Sequence, residues 1–360
     1  MNVLILLSVL LTLYALQAVL IRHIGLRHLT CTRAFSKPAY FEGEEGELIE
    51  IVRNDRAMII PWLRVESGVS PYIRFGRQEN LHISDTAHTC SLFTLMPYQQ
   101  IKRRHRVAFL RRGAYNLGSA SLTAGDLLGL MERHREQEMD VPVLVYPRLI
   151  DSSAMPQPLT RLLSETVSRR QLLCDPFLFR GIRPYLPGDP VRDIHWSATA
   201  RTGETQIRLH DPSAKAQLLV VLNMERTSAQ WGERLMDYEQ EEIEYEISMA
   251  ATLCMQALDM GQCAGFCANM PIGDSRESAF VPPAGGAPAR EALLAAFAQL
   301  RLVRTLSFPT FLGRLEAHRD LDMIILSCYD SEEIQSAMHR LRQNGSQVSL
   351  YLVREGRIAS

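Results

Sequence analysis

The chain changes its pattern of apolar and polar positions twice along its length. Residues 3–21 form an apolar run without a charged side chain. Residues 29–148 carry short apolar or alternating segments separated by turn residues, the pattern of several strands in succession. From residue 216 onward, continuous apolar runs alternate with stretches of helical period, which predicts strands connected by helices. The sequence therefore predicts a helix, then an all-β domain, then an α/β domain.

The closing segment gives the clearest elements of the α/β domain. Residues 321–328 predict a buried strand, residues 331–343 a helix, and residues 347–353 a second strand. Because strand–helix–strand connections are right-handed, we expect the two strands to run parallel in a doubly wound sheet. Residues 273–289 are rich in Gly, Pro and Ala, and are predicted to be a loop.

The predicted domain boundaries follow these changes of pattern. Residues 29–148 are assigned to a β-sandwich, because closely spaced short strands are typical of that architecture. A segment containing Ser and Pro predicts a linker at 149–178. The predicted fold class is thus an α/β doubly wound domain at 179–360, preceded by an all-β sandwich and by an N-terminal transmembrane helix at 1–24.

The apolar run at residues 3–21 predicts the membrane span. About 20 apolar residues in a helix cross the hydrocarbon core of a bilayer. We therefore expect a single-pass inner-membrane protein that contacts lipid through this run. A cleaved signal peptide and a helix buried in a soluble body are the alternatives. The basic residues that follow the run place the body in the cytoplasm by the positive-inside rule: Arg22, Arg27, Arg33 and Lys37.

Composition and charge exclude some functions. The chain has 39 basic and 40 acidic residues, a formal net charge of −1, whereas a general nucleic-acid binder normally carries a strongly basic domain. We expect no nucleic-acid partner. The seven cysteines show no zinc-ligand spacing, and Cys263 and Cys267 lie on a predicted buried strand without partner histidines. Free thiols are therefore expected, which fits a reducing compartment.

Residues 179–211 concentrate arginine, acidic and aromatic side chains. Such a set can form a structural clasp, in which guanidinium groups pair with carboxylates or backbone carbonyls, or a surface that docks a partner or an anion. Both interpretations stay open. The residues are Arg180, Arg183, Arg192, Arg201, Arg208, Asp189, Asp193, Tyr185, His195 and Trp196.

Turn residues in the same segment predict its local structure. Pro187 followed by Gly188 suits a type II turn, because proline presets the first central residue and glycine accepts the positive φ of the second. Asp189 can then cap a helix whose first residue is a proline, and Gly203 suits the left-handed position after its end. We predict a short helix over residues 190–201.

The segment closely resembles the signature of the bacterial domain-of-unknown-function family numbered 58. The resemblance implies a membrane-anchored protein with a von Willebrand factor A-like domain, often encoded beside MoxR-type AAA+ ATPases and transglutaminase-like proteins. A MoxR-type ATPase, and a transglutaminase-like membrane protein with it, are the partners that the resemblance implies. The matching residues are Gly181, Arg183, Tyr185, Gly188, Asp189, Arg192, Ile194, Trp196, Ala200 and Arg201.

Because the resemblance implies a von Willebrand A-like fold, the sequence can be compared with the metal-binding motif of that fold. Domains of that fold that bind a divalent cation use Asp-x-Ser-x-Ser after the first strand, because a hard cation needs oxygen ligands. The corresponding residues here are Asn223, Glu225 and Thr227, a degenerate motif. Glu225 and Asp330 could restore negative charge, but we predict a metal-free strand end and no cofactor.

The hypothesis that follows is a membrane-anchored, non-enzymatic scaffold or adaptor. It would bind a protein partner, a MoxR-type ATPase, in envelope-related assembly or maturation. The clasp or partner-binding residues are Gly181, Arg183, Tyr185, Gly188, Asp189, Arg192, Asp193, Trp196 and Arg201. No nucleophile elbow and no P-loop occur in the sequence. The alternatives are a hydrolase using His195, close to Ser197 and Thr199, and a divalent-cation-dependent adhesion module.

Overall fold

The computed structural model describes residues 2–24, 26, 28–76, 81–84, 88–126, 131–172, 179–186, 194–210, 217–227 and 235–353. The chain divides into two compact units, Met1–Arg148 and Leu149–Ser360, which are described separately. The domain boundaries given above stay a prediction.

Unit 1 consists of one helix followed by strands. The elements are α1 (Asn2–Ile24), β1 (Leu29–Phe35), β2 (Ala39–Phe41), β3 (Glu45–Asn54), β4 (Ile60–Gly68), β5 (Ile73–Phe75), β6 (Leu81–Ser84), β7 (His88–Leu95), β8 (Gln100–Phe109), β9 (Gly113–Asn116), β10 (Ser119–Gly125), β11 (Glu132–Glu138) and β12 (Pro142–Tyr146). The strands form sheets in the orders β1-β3-β8-β5, β11-β10-β4-β7-β6 and β2-β12-β9.

The four-stranded sheet forms one layer of a sandwich. Along β3, Leu48, Glu50 and Val52 are buried and their neighbours are partly exposed, so these three side chains point to one face. On that face Val52 packs with Leu63 of the five-stranded sheet, and Leu48 packs with Val143 of the three-stranded sheet. Both other sheets therefore cover the same face, and unit 1 is a β-sandwich.

A buried ion cluster lies in this core. Arg33 on β1 donates to the Glu50 carboxylate at 2.5 Å, and Nε2 of His105 on β8 lies 3.1 Å from the same group. Arg33 also donates to the hydroxyl of Ser67. Burial by itself raises the pKa of Glu50, but the hydrogen bond from His105 and the charge of Arg33 outweigh it and hold that pKa below its ordinary value.

The structure does not support the predicted transmembrane anchor. Among the helices in the described part of the chain, none combines the length and apolarity needed to span a membrane. In α1 the hydroxyl of Tyr14 donates to the Asp126 carboxylate at 2.7 Å, which ties the middle of the helix to a charged group of unit 1. The single-pass inner-membrane topology that followed from residues 3–21 is corrected accordingly.

Unit 2 combines helices and strands. The elements are α2 (Gln157–Leu172), β13 (Phe179–Pro184), α3 (Trp196–Thr202), β14 (Gln206–His210), β15 (Gln217–Leu222), α4 (Asp237–Asp259), β16 (Cys263–Pro271), β17 (Ser278–Ala284), α5 (Ala287–Gln299), α6 (Phe308–Leu315), β18 (Asp322–Ser327), α7 (Glu332–Gln343) and β19 (Gln347–Leu352). Strands β13 and β14 pair with each other, and the remaining strands form one sheet in the order β17-β16-β15-β18-β19.

Helices pack on both faces of this five-stranded sheet. Cys267 of β16 lies in a core cluster with residues of α6 and α7, such as Phe308 and Leu341. The adjacent Phe266 points to the opposite face, where its ring centroid lies 4.2 Å from that of Phe297 on α5. The sheet is thus covered on both sides, which explains why its strands are continuously apolar.

The predicted fold class is wrong in two respects. The sheet of unit 2 is mixed rather than doubly wound and parallel, because β17 runs antiparallel to β16. The connection at residues 272–277 is too short for a crossover helix and allows a hairpin. The predicted N-terminal transmembrane helix is the second error, as described above. The chain is instead sheet-rich, with a β-sandwich and a separate mixed sheet, and the von Willebrand A-like assignment is not supported.

Strand β17 lies inside the segment predicted to be a loop. Pro282 and Pro283 argue against a central strand, because proline cannot donate to the sheet. The structure places this strand at the edge of the sheet, where a missing N–H can face away from the neighbouring strand. The backbones also approach closely, since a Cβ on Gly265 would lie 2.6 Å from the Pro283 nitrogen.

Candidate functional site

The signature segment forms a small hairpin and a short helix. Gly181 and Arg183 lie on β13, which pairs with β14 in an antiparallel ladder. The backbone N–H of Tyr185 continues the pairing by donating to Thr205 at 2.8 Å. Trp196 begins α3 and Arg201 lies in its last turn. Four further predicted clasp residues lie outside the described residues: Gly188, Asp189, Arg192 and Asp193.

Helix α3 begins later than predicted. Ile194 forms a backbone bridge with Ile207 of β14, so the chain is extended there and not helical. His195 is the N-cap, and its Nδ1 accepts from the backbone N–H of Ala198 at 3.1 Å. Gly203 has φ 76° and caps the C-terminus, as its position predicted. The cap that was predicted at Asp189 lies outside the described residues.

Several large side chains of the segment are exposed. Trp196 is 69% exposed, Leu186 58% and Ile182 44%. Helix α3 contributes no buried residue among its seven. Arg183 donates to the carbonyl of Pro184 at 3.0 Å, while its predicted pairing with Asp189 or Asp193 stays a prediction. The described part of the segment therefore presents an apolar and aromatic surface with arginines beside it.

His195 caps α3, and this role competes with a role as a catalytic base. Its Nδ1 is the atom that accepts from Ala198, and the Ser197 hydroxyl lies 3.0 Å from the same nitrogen. To take a proton from Ser197 through this atom, His195 would have to give up the cap of α3. The proximity of histidine and serine is thus explained by capping geometry.

A second polar cluster lies at the carboxyl ends of β15 and β18. The sheet order places β16 on one side of β15 and β18 on the other, and open sheets bind ligands at such a reversal. Asn223 follows β15 and is fully buried. Its side-chain NH₂ donates to the Ser327 hydroxyl at 3.0 Å, and its oxygen accepts from the N–H of Glu225 at 3.0 Å.

Glu225 is buried at this strand end and is fully engaged. It accepts from the backbone N–H of Phe308 at 3.0 Å and from the Tyr329 hydroxyl at 2.7 Å. Nη1 of Arg304 lies 3.2 Å from the same carboxylate. Burial, together with the hydrogen bond to Glu225, raises the pKa of Tyr329, so that hydroxyl stays a donor at neutral pH.

In the degenerate metal motif, the carboxylate therefore contacts a guanidinium group. Asn223 and Glu225 are neighbours, but Arg304 already contacts the carboxylate, and Thr227 is exposed. Asp330 accepts from Gln335 instead of joining Glu225. Across the part of the chain that the structure describes, no group of three or more His, Cys, Asp or Glu side chains could hold a metal ion.

Sequence reasoning missed an ion cluster beside this strand end. Arg226 forms ion pairs with Glu242 and with Glu246 on α4, the latter at 2.5 Å. The signal available in the sequence was an acidic run at residues 237–246 that has no basic residue within it. The run does not indicate which basic residue its acids pair with, because Arg226 lies outside it.

Comparison with protein families gives one match. Residues 181–326 match the family model described as "Protein of unknown function DUF58", which confirms the resemblance based on the signature segment. The match begins at Gly181 and ends at Leu326 in β18, so it includes Asn223, Glu225 and Arg304 but not Ser327 or Tyr329. No curated protein matches the chain.

Solved structures similar to parts of the chain are distant. A CARDB domain from Pyrococcus furiosus, solved with di-metal ions, is 15% identical and covers 33% of this chain and 94% of its own, with a TM-score of 0.21. A cohesin from Archaeoglobus fulgidus is 6% identical, with coverages of 32% and 91% and a TM-score of 0.21. A type I cohesin–dockerin complex from Clostridium thermocellum is 11% identical, with coverages of 32% and 86% and a TM-score of 0.21.

Proposed function

We propose that this chain, which belongs to the DUF58 family through residues 181–326, is a non-enzymatic adaptor that binds a protein partner. The observation that carries the proposal is the exposure of Ile182, Leu186 and Trp196 in the signature segment. We name this region the signature surface and define it by those three residues together with Arg183 and Arg201.

Few of the described side chains around the signature surface are buried, Ile207 of β14 among them. A two-stranded hairpin is marginally stable in water unless it packs against something else. Here the hairpin is joined to α3, which buries none of its residues. Trp and Arg are the residue types most enriched among those that dominate protein interfaces. A protein that covers Trp196 would remove a large apolar area from water.

The charge of the signature segment indicates which kind of partner surface would complement it. Residues 179–210 contain five arginines against three acids. Arg201 is exposed in the last turn of α3 and Arg183 is partly exposed on β13. A partner with an acidic surface around an apolar pocket would complement both features, since charge complementarity steers association and fixes register.

The partner that we propose is a MoxR-type AAA+ ATPase, acting in envelope-related assembly or maturation. This identity comes from the family resemblance. The signature surface supports the coarser part of the proposal, a protein–protein contact. A transglutaminase-like protein is the second partner that the resemblance implies, and it would be tested in the same way.

The test is a binding titration between the purified full chain and a purified MoxR-type ATPase, with and without nucleotide. Trp196→Ala should weaken binding by about 30-fold or more, because truncating a central interface tryptophan costs about 2 kcal/mol or more. Tyr238→Ala is the matched control, since Tyr238 is an aromatic residue 59% exposed on α4. Equal binding by the wild type and Trp196→Ala would exclude the signature surface as the contact.

A further inference from the structure

A polar layer separates two apolar clusters in the core of unit 1. On the inward face of β3, Glu50 lies between Val52 of one cluster and Leu48 of the other. The strand register places Arg33 of β1 and Arg103 of β8 opposite Glu50, on its two sides. The layer therefore crosses three strands of the four-stranded sheet and contains two guanidinium groups and one carboxylate.

Glu50 is bonded to partners other than Arg103. Nε and Nη2 of Arg33 both donate to one carboxylate oxygen, and Nε2 of His105 lies 3.1 Å from the other oxygen. The side chains of these three bonded residues are at most 4% exposed. The carboxylate thus compensates the charge of Arg33, and the layer holds a second arginine besides.

The guanidinium group of Arg103 packs on an aromatic ring. Its central carbon lies 3.9 Å from the centre of the Phe93 ring. Its Nη1 is buried and has no hydrogen-bond partner among the described residues. Burial lowers the pKa of Arg103, and the charge of Glu50 opposes this lowering without cancelling it. Arg103 therefore brings a buried donor and an excess positive charge into the layer.

Hydroxyl groups of the five-stranded sheet face the charged row. Ser67 on β4 accepts from Arg33, and its hydroxyl lies 3.1 Å from that of Thr89 on β7. Ser91 follows on the same face of β7 and is 1% exposed. Its hydroxyl has no hydrogen-bond partner among the described residues. The layer thus contains a second buried group that can donate a hydrogen bond.

The two groups without described partners lie in the same part of the layer. Ser91 and Phe93 are two residues apart on β7, so their side chains point to the same face. Residues 96–99 alone connect β7 to β8, so the two strands run in opposite directions. Because Phe93 contacts Arg103, Ser91 lies level with the stretch of β8 between Arg103 and His105.

We propose that this layer binds a chloride ion, held by Nη1 of Arg103 and the hydroxyl of Ser91. The ion supplies the negative charge that the second arginine needs, since burying an unpaired charge is costly. It accepts from both groups, whereas a buried water molecule would need further acceptors for its own O–H groups. The sheets of a sandwich lie about 10 Å apart, which suits a monatomic ion better than a larger oxyanion.

Hydrogen exchange of the full chain, measured by mass spectrometry in peptides spanning 88–109, tests the site. Sodium chloride is varied from about 10 mM to about 200 mM, and sodium gluconate keeps the ionic strength constant. A site with a Kd of about 10 mM should raise protection about 10-fold over this range, because binding to the folded state lowers the population of open states. Wild-type protection that does not depend on chloride would overturn the proposal.

Substitution of Arg103 separates the site from general effects of salt. Arg103→Gln removes the excess charge and should abolish the dependence of protection on chloride. Arg104→Gln is the matched control, because Arg104 is the adjacent arginine on β8 and its side chain is 62% exposed. This control should keep the wild-type response. The same response to chloride in both variants would contradict the site.

Ser91→Ala provides the measurement if Arg103→Gln does not fold. The change removes a hydroxyl that has no described partner, so the fold should be retained. Loss of a hydrogen bond to a charged group should weaken chloride binding about 10-fold or more, so the gain in protection should shrink to about 3-fold or less. Thr94→Ala, on the exposed face of β7, is the control. A wild-type response to chloride in Ser91→Ala would overturn the site.

Discussion

Arg304 and Glu225 form an ion pair at the carboxyl end of β15, with Nη1 3.2 Å from the carboxylate. The carboxylate side chain is 4% exposed and the guanidinium side chain 16% exposed. A carboxylate at this depth needs a compensating charge, and here a side chain of the same chain supplies it. Glu225, the carboxylate of the motif Asn223, Glu225 and Thr227, is thus paired with an arginine far along the sequence.

Arg304→Ala should lower the free energy of unfolding by about 3 kcal/mol, because it leaves Glu225 buried without a counter-charge. Urea denaturation followed by fluorescence measures the change. The control is Arg301→Ala, since Arg301 is exposed and its loss should cost less than about 0.5 kcal/mol. Equal stability of the two variants would show that the pair contributes nothing.

Glu50→Gln should destabilise unit 1 by about 3 kcal/mol at pH 7, because Arg33 would lose its buried partner. The pKa of Glu50 is lowered in the folded state, so its stabilisation is complete above the ordinary value of 4.5 and is lost as pH falls through the folded pKa. The acid-induced loss of stability should therefore be shallower in Glu50→Gln. Urea midpoints between pH 3 and pH 7 measure both effects.

Glu47→Gln is the control for that series. Glu47 pairs with Arg104 on the surface, where the side chains are 40% and 62% exposed. Solvent screens such a pair, and we expect a change of less than about 0.5 kcal/mol. A Glu50→Gln variant with the same stability and the same pH profile as Glu47→Gln would contradict the role assigned to the buried cluster.

Substitutions at His195 separate capping from catalysis. His195→Ala should lower protection of the α3 amides and cost about 1 kcal/mol, whereas His195→Asn should restore the cap because asparagine is a good N-cap residue. Hydrogen exchange of peptides spanning 194–205 measures this. A hydrolase would respond differently, since Asn cannot act as the base. Loss of a hydrolytic activity in His195→Asn, with α3 protection intact, would support the hydrolase hypothesis.

The buried thiols should react slowly in the native protein. Burial raises the pKa of Cys31 to about 12 and of Cys328 to about 11, and it also raises those of Cys254 and Cys267. The thiolate is the reactive form, so alkylation by iodoacetamide at pH 8 should be at least about 100-fold slower than in urea. Mass spectrometry of each cysteine peptide follows the reaction. Native rates equal to those in urea would show that these sites open readily.

Local patterns predicted some elements well and tertiary relations poorly. The strand, helix and strand after residue 320 are found as β18, α7 and β19, because continuous apolar runs and a helical period reflect local burial. Strand β17 was missed, since proline lowers strand propensity and the edge position that tolerates it depends on the whole sheet. The continuous helix predicted over residues 190–201 is interrupted at Ile194, because that residue pairs with β14.

The same contrast between local patterns and tertiary contacts applies to the site residues. The signature segment was found because its residues are close in sequence, and the family match confirms that resemblance. Arg226 and Glu246 are 20 residues apart and Glu225 and Arg304 are 79 apart, so neither pair has a local signature. The apolar run at residues 3–21 led to a predicted anchor that the described helices do not support.

The two prolines of β17 determine how the sheet of unit 2 can meet another molecule. Proline has no N–H to donate, so an incoming strand would find the hydrogen-bond ladder of this edge interrupted at Pro282 and Pro283. Polymerisation through strand addition is thereby discouraged at that border. Addition of a foreign strand is less hindered at the opposite border, at β19.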